Sequence, residues 1–466
     1  MEHGSDSDES RLVPRAVRHA PWPISAPLRL FHLLRNPLRL DPIEAYHETM
    51  VVRPRTGSQG TDAWFSDPAL TDELLGRQAH CLAKSEFEKR VLGRLIGAGV
   101  LTADGDLWRW QRRTVAPLFR PAAMRQYVPV MAETANEVVR SWRAEGDRVR
   151  AMDSDMTDAT SAIIMRTMHA GSRQEENRLI KSASRRFIAG TAWEGAYRLM
   201  NVPRWLPNPG SRHISAAVGA LRGAMEVLIA RKQRELTASV PSTGDLISQL
   251  IAARDPETDA AMSQEQLIDN LLTIVEAGYE STASALTWTM YLLARSPNWQ
   301  ARLREEITDV TGSGPIEAAH LPRLELTQSV FKESLRLYPP GSTLGRVFVA
   351  PVTVAGHRFQ PGDVAMFPAF CIHRHRGLWR DPDLFDPSRF TGSEEAGHRR
   401  GQYIPFGFGA RSCIGQAFAV TEATIVIATL IRSARLHWTG GREPEPVSRV
   451  TLSPRGGLRL RVEWLQ

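Results

Sequence analysis

Three cysteines, Cys81, Cys371 and Cys413, are all that 466 residues contain. Three cannot build a disulfide framework, and their scarcity fits a reducing compartment, so a cytoplasmic location is expected. No Cys-x-x-Cys spacing occurs, which leaves no indication of a structural zinc site or a covalently attached cofactor. Charge of one sign is also missing. The chain has 58 basic and 51 acidic side chains, a net +7, too little and too scattered to argue for nucleic acid. The start, MEHGSDSDES, lacks the basic residues and apolar run of a secretory signal. No uncharged apolar stretch of about 18 residues exists, so no membrane span is expected. The segment Ile24–Leu40, ISAPLRLFHLLRNPLRL, is both basic and apolar and could touch a membrane surface. Its prolines favour a packed arm instead.

What is present is helical periodicity. From about Thr71 to Arg336 apolar residues recur at three- and four-residue spacing, as in DELLGRQAHCLAKSEFEKRVLGRLIG and ISAAVGALRGAMEVLIARKQREL. Strand-like material comes late, over Arg346–Pro368 and in the closing GGLRLRVEW. A chain rich in Pro, Asp and Arg runs irregularly between them. The expected fold is mainly α with small β-sheets, an arm over residues 1–45 that is partly disordered, and a single domain over 46–466.

One helix stands out. It begins with Ser263 and Gln266 spaced as a capping box, and Pro297 lies just past its end. About 32 residues at 1.5 Å each give a rod of about 48 Å, long enough to cross a domain. At its middle, Ala277–Thr282 reads AGYEST. Small and hydroxyl residues there can bend a helix and reopen its backbone hydrogen bonds.

Near the other end of the chain, Phe406–Gly415 reads FGFGARSCIG. Gly407 and Gly409 permit tight turns, and a helix is expected just after Cys413. A cysteine at a helix N-terminus suits nucleophilic attack or metal ligation, because dipole and free N–H groups favour the thiolate. As spacing alone, the stretch leaves nucleophile, metal ligand and inert buried residue equally open.

The residues do match a family pattern. FGFGARSCIG has the form F-x-x-G-x-R-x-C-x-G, and ESLR (Glu333–Arg336), FDPSRF (Phe385–Phe390), AGYEST and WRWQR (Trp108–Arg112) occur around it in matching order. Together they resemble the cytochromes P-450 from about Trp64 to the C-terminus. The resemblance implies the cytochrome P-450 fold, haem b as cofactor and Cys413 as axial thiolate of its iron. It implies that Phe406, Gly407 and Gly415 shape the loop around the sulfur. Trp108, Arg112, Arg346 and Arg411 would meet the haem propionates, and Ala277 would leave room over the iron; Arg109 and Arg113 read as surface charges. Glu333, Arg336 and Arg389 would form a buried structural network. Glu280, Ser281 and Thr282 would handle dioxygen and protons. Here the chain departs from the family, which usually places threonine where Ser281 stands; serine keeps the hydroxyl and lacks the methyl that restricts it.

The implied activity is a haem-thiolate monooxygenase that hydroxylates or epoxidises a hydrophobic small molecule, lipid- or terpene-like, with O2. The haem fold uses the whole length and no cysteines remain for a cluster, so electrons are expected from a separate ferredoxin or flavodoxin-type donor. A peroxide-using or rearranging haem-thiolate enzyme and a non-catalytic haem-binding sensor are the alternatives, both disfavoured by Glu280 and its hydroxyl neighbours. Substrate contacts are expected near Ala83–Val100, along the central helix, and at Thr343 and Leu344.

Overall fold

The computed structural model describes residues 12–14, 17–55, 60–168, 179–180, 182–184, 186–187, 211–238 and 244–465. The molecule is built around the long helix Gln264–Ala294. Its capping box is formed: Ser263 Oγ accepts from the Gln266 amide, and the Gln266 side chain accepts from the Ser263 amide. Helices Met152–Met168, Ser211–Thr237, Glu325–Leu337 and Gln416–Ser433 pack around it. Nearly every residue of the central helix is buried, so it is the axle of the apolar core. The helix Ser211–Thr237 is long and apolar enough by length and composition to cross a membrane. It carries Arg222 and Glu226 near its middle and turns Leu221, Met225 and Ile229 into the core.

The AGYEST segment lies within a continuous helix. Ser281 Oγ donates to the Ala277 carbonyl at 2.7 Å, and Thr282 Oγ1 to Gly278 at 3.0 Å. Thr160, on a neighbouring helix, donates to the Tyr279 carbonyl at 3.0 Å. The hydroxyls add bonds to carbonyls of an intact helix instead of reopening it.

A five-stranded sheet sits beside the helices, in the order Met50–Pro54, Thr61–Phe65, Val364–Phe367, Leu344–Phe348, Leu82–Ala83. Only the pair Thr61–Phe65 and Val364–Phe367 is parallel. The last strand interrupts the helical spacing read over residues 72–97. The chain instead passes through short turns, pairs Leu82 and Ala83 with Phe348 and Val347, and restarts as helix Glu86–Ile96. Ser85 caps that restart, accepting from the Glu88 amide. The arm is packed as expected: Leu12 and Val17 are buried, and Asn36 bonds to Pro446 and Ser448 across the chain.

The Glu333 network is the polar centre of this fold. Glu333 and Arg336 are fully buried and paired twice, at 2.6 and 2.8 Å. Arg336 also donates to the carbonyls of His373, Pro382 and Leu384, so all five of its N–H groups are used. Glu333 further accepts from the Asp386 amide and faces Arg389 at 3.6 Å. Truncating one partner strands a buried charge. Glu333→Ala should therefore lower unfolding free energy by about 3–5 kcal/mol in urea titrations, with Glu333→Gln losing less; a loss under about 1 kcal/mol would contradict this.

Candidate active site

Cys413 stands three residues before the helix Gln416–Ser433, in a loop held from three directions. Its own amide donates to the Phe406 carbonyl at 2.7 Å, closing the loop on itself. Arg112 donates to the Ser412 carbonyl at 2.8 Å. His373 ties the far side: it bonds the Arg336 carbonyl through Nδ1 and accepts from the Ile404 amide through Nε2 at 2.8 Å. Burial pushes that imidazole down to about 3, so it stays neutral and can accept. Gly407 and Gly409 have φ of +74° and +69°, as the turn requires. A Cβ on Gly409 would stand 2.0 Å from the Leu75 carbonyl oxygen, so no other residue fits there.

The Cys413 side chain is accessible, yet protein surrounds it closely enough that desolvation raises its thiol pKa. That combination is the mark of a recess. The Gly415 amide and the Arg112 charge pull the other way and do not win. The helix terminus pulls toward the thiolate as the sequence suggests, and burial pulls against it.

A second accessible patch lies on the central helix. Thr273 and Ser284 are buried, but Ala277 is exposed and Glu276, Gly278, Glu280 and Ser281 are partly so. Past its first turn, this is where the helix is open. Thr451 donates to Glu280 Oε1 at 3.0 Å, and burial raises the Glu280 pKa. Ser284 and Trp288, one and two turns on, both donate to the Leu452 carbonyl, fixing the segment that carries Thr451. Thr282 turns inward to Glu422, a carboxyl 1% exposed on the cysteine helix. Burial puts the Glu422 pKa well above the carboxylate range, against a smaller lowering by Thr282.

Around the other rim, cations gather. Arg346, paired across the sheet with Ala365, is 9% exposed, and its guanidinium makes one hydrogen bond, to the Gly345 carbonyl. Lys84 is buried and bonds Glu88 at 2.7 Å. Arg411 donates to Ala103 and Asp104, with its guanidinium 4.0 Å above the Trp108 ring. Burial lowers the pKa of all three, and Lys84, Arg346 and Arg411 repel one another. Glu88 and Asp104 are the anions that offset them.

The family model for cytochrome P-450 matches residues 51–460. The chain belongs to the cytochrome P-450 family. It is 33% identical over 371 residues to cyclooctatin synthase of Streptomyces melanosporofaciens, covering 78% of each chain. It is 30% identical to pentalenene oxygenase of Streptomyces avermitilis, covering 79% of this chain and 80% of that one. A cytokinin hydroxylase of Arabidopsis thaliana is 30% identical, over 86% of this chain and 79% of its own. The fold is that of the cytochrome P450DA heme domain crystal structure, with a TM-score of 0.83, 22% identity and coverage of 97% and 98%. The protein is thus a cytochrome P-450 monooxygenase with haem b as cofactor, using O2, a hydrophobic substrate and a redox partner.

Of the residues singled out from sequence, Trp108, Arg112 and Arg411 gather at the cysteine loop, though Arg112 and Arg411 spend hydrogen bonds on protein groups there. Glu280 and Ser281 share the open helix face, while Thr282 turns away from it. Arg113 is not a bare surface charge: it pairs with buried Asp255 at 3.0 Å. Thr343 does not present a free hydroxyl to a pocket, because it donates to buried Asp41 at 3.0 Å. Lys84, Glu276, Glu422 and Thr451 were not found from sequence. Glu422 had a legible signal: it is the one acid in the otherwise apolar run QAFAVTEATIVIATL.

Glu276 carries a stability prediction. Burial, with a smaller push from Glu280, raises its pKa from 4.5 to about 7. The folded state therefore holds a proton that the unfolded chain releases above about pH 4.5. The stability linked to it is present below pH 4.5 and lost as pH rises through 7. Glu276→Gln should gain about 1–3 kcal/mol relative to the parent at pH 8 and little at pH 4.5, read from urea midpoints across pH.

Proposed function

We propose that Cys413 is the axial ligand of the haem iron and that Lys84, Arg346 and Arg411 face the haem propionates. We further propose that the enzyme hydroxylates or epoxidises a terpene-like skeleton, with electrons from a separate ferredoxin or flavodoxin-type donor. The observation that carries this reading is the Cys413 loop. It is clamped by Arg112 and by the His373–Ile404 contact, at the start of the helix whose Glu422 meets the central helix at Thr282.

The residues fit haem b on their own chemistry. Arg346 is a buried guanidinium with donors to spare, and a carboxylate is the group that a guanidinium fork accepts. The mutual repulsion of Lys84, Arg346 and Arg411 falls when anionic propionates lie among them. Bound through a thiolate, haem supplies dioxygen activation, since the sulfur pushes electron density that favours O–O cleavage. The chain's part is to dose protons. Thr451 occupies Oε1 of Glu280, leaving Oε2 to carry a proton, and burial raises the pKa of the group and so favours its protonated form. Ser281 holds its hydroxyl on the Ala277 carbonyl, next to the exposed Ala277 side chain.

The relatives bear on substrate class. Besides cyclooctatin synthase and pentalenene oxygenase, the chain is 29% identical to cyclooctat-9-en-7-ol 5-monooxygenase. These bacterial relatives are terpene-related, and Ala277 and Gly278 put small, uncharged residues on the open face.

Turnover of a terpene panel under oxygen-18 gas, with a ferredoxin and its reductase, should give products carrying one labelled oxygen. Product formed only with peroxide, or without label, would overturn the monooxygenase reading in favour of a peroxide-using or rearranging enzyme. Ser281→Thr should raise product per NAD(P)H by roughly two- to fivefold and lower released hydrogen peroxide, because the added methyl restricts the hydroxyl. Unchanged coupling would show that serine positions its hydroxyl as well as threonine would.

A further inference from the structure

One turn before Glu280, the open face of the central helix carries a second carboxyl that proton delivery does not use. Glu276 and Glu280 are four residues apart and so share a face. Their hydrogen-bond partners differ: Glu280 is held by Thr451, Glu276 by Ser184. Ser184 is fully buried and belongs to a helical stretch on another part of the chain. Its Oγ stands 2.5 Å from Glu276 Oε1 and 2.9 Å from the Ile180 carbonyl.

The proton count at this pair is informative. A serine hydroxyl has one hydrogen, and here two oxygens face it. Both short contacts become hydrogen bonds when Ser184 donates to Ile180 and accepts from a protonated Glu276. Burial raises the Glu276 pKa to about 7 although the Ser184 contact lowers it, so the protonated form persists to about neutral pH. Oε1 is then the hydroxyl oxygen of a neutral acid, and Oε2 is its carbonyl oxygen. Oε2 has no partner among the described residues. Glu276 is partly exposed and is followed in sequence by Ala277, the most accessible residue of the helix centre.

An accessible carbonyl oxygen with no protein partner is free to accept from a ligand donor. One acceptor in an apolar recess is also how pockets fix the orientation of a ligand. A neutral acceptor suits a neutral donor better than a cation.

We propose that Oε2 of Glu276 accepts a hydrogen bond from a hydroxyl group on the substrate, so that the enzyme takes an apolar skeleton that already bears an alcohol and oxidises it at a carbon set by that anchor. The inference rests on the terpene-like monooxygenase reading and narrows it. The reaction that supplies the substrate is then one that leaves a hydroxyl, either an earlier oxygenation or a cyclisation ended by water.

The test uses the haem-loaded full chain and matched triples of terpene alcohol, its methyl ether and the parent hydrocarbon, such as cedrol, cedryl methyl ether and cedrane, over several ring sizes. Spin-state difference spectra give the affinities. The parent protein should bind the preferred alcohol roughly tenfold or more tightly than its ether and its hydrocarbon. Glu276→Leu should lose that preference while hydrocarbon affinity stays the same or rises, and its products should spread over more positions. Ser184→Ala, which frees Oε1 without removing the carboxyl, should keep the preference for alcohol; its loss there would overturn the assignment of the anchor to Oε2. Alcohol and hydrocarbon bound equally well in every triple would overturn the inference alone. No response to any member would overturn the terpene-like reading and the inference with it.

Discussion

Arg336 is the side chain on which the rest of the site depends. Its five N–H groups are all committed, two to Glu333 and three to carbonyls at 373, 382 and 384. It therefore fixes an irregular stretch of chain that no helix or strand could fix. The constraint passes on through His373, whose two ring nitrogens join the Arg336 carbonyl to the Ile404 amide. Ile404 lies two residues before Phe406, whose carbonyl receives the Cys413 amide. A buried ion pair is weak evidence for stability as such, because hydrophobic replacement is often as good. Here it positions a loop, which an apolar pair could not do, since three backbone carbonyls would lose their donor.

Opposite that loop, the central helix joins two contradictory requirements. It is buried almost throughout and yet opens at Glu276–Ser281. Burial makes the carboxyls there reluctant to ionise, and the same reluctance makes them useful: a neutral acid can hand on a proton or hold a hydroxyl, while a solvated carboxylate does neither as well. The hydroxyls of Ser281 and Thr282 keep the helix intact by bonding back to Ala277 and Gly278, so the opening arises from small side chains and not from a broken backbone.

The parts legible in the sequence were those set by local rules. The capping box at Ser263, the helix after Cys413 and the late strands follow from spacing and from turn residues, and the ordered motifs led to the family. Partnerships were not legible where they cross the chain. Lys84 looks like one lysine in a charged stretch until the pairing of Leu82 with Phe348 brings it to Arg346. The helical spacing over residues 72–97 is interrupted for the same reason, since strand pairing overrode local periodicity. Thr343 was placed in a pocket because nothing in its neighbourhood announced Asp41, 302 residues away. Glu276 was passed over beside the more familiar Glu280; only its geometry with Ser184 distinguishes it.

The central claim is that Cys413, through its sulfur, is the axial ligand of the haem iron. The reduced carbon monoxide difference spectrum of the purified protein tests it most directly. Thiolate ligation places the Soret band at the long wavelength characteristic of a sulfur-ligated iron, and Cys413→His should move it to the shorter wavelength of histidine-ligated haem. A parent protein with the shorter-wavelength band, or a long-wavelength band that survives Cys413→His, would contradict the account.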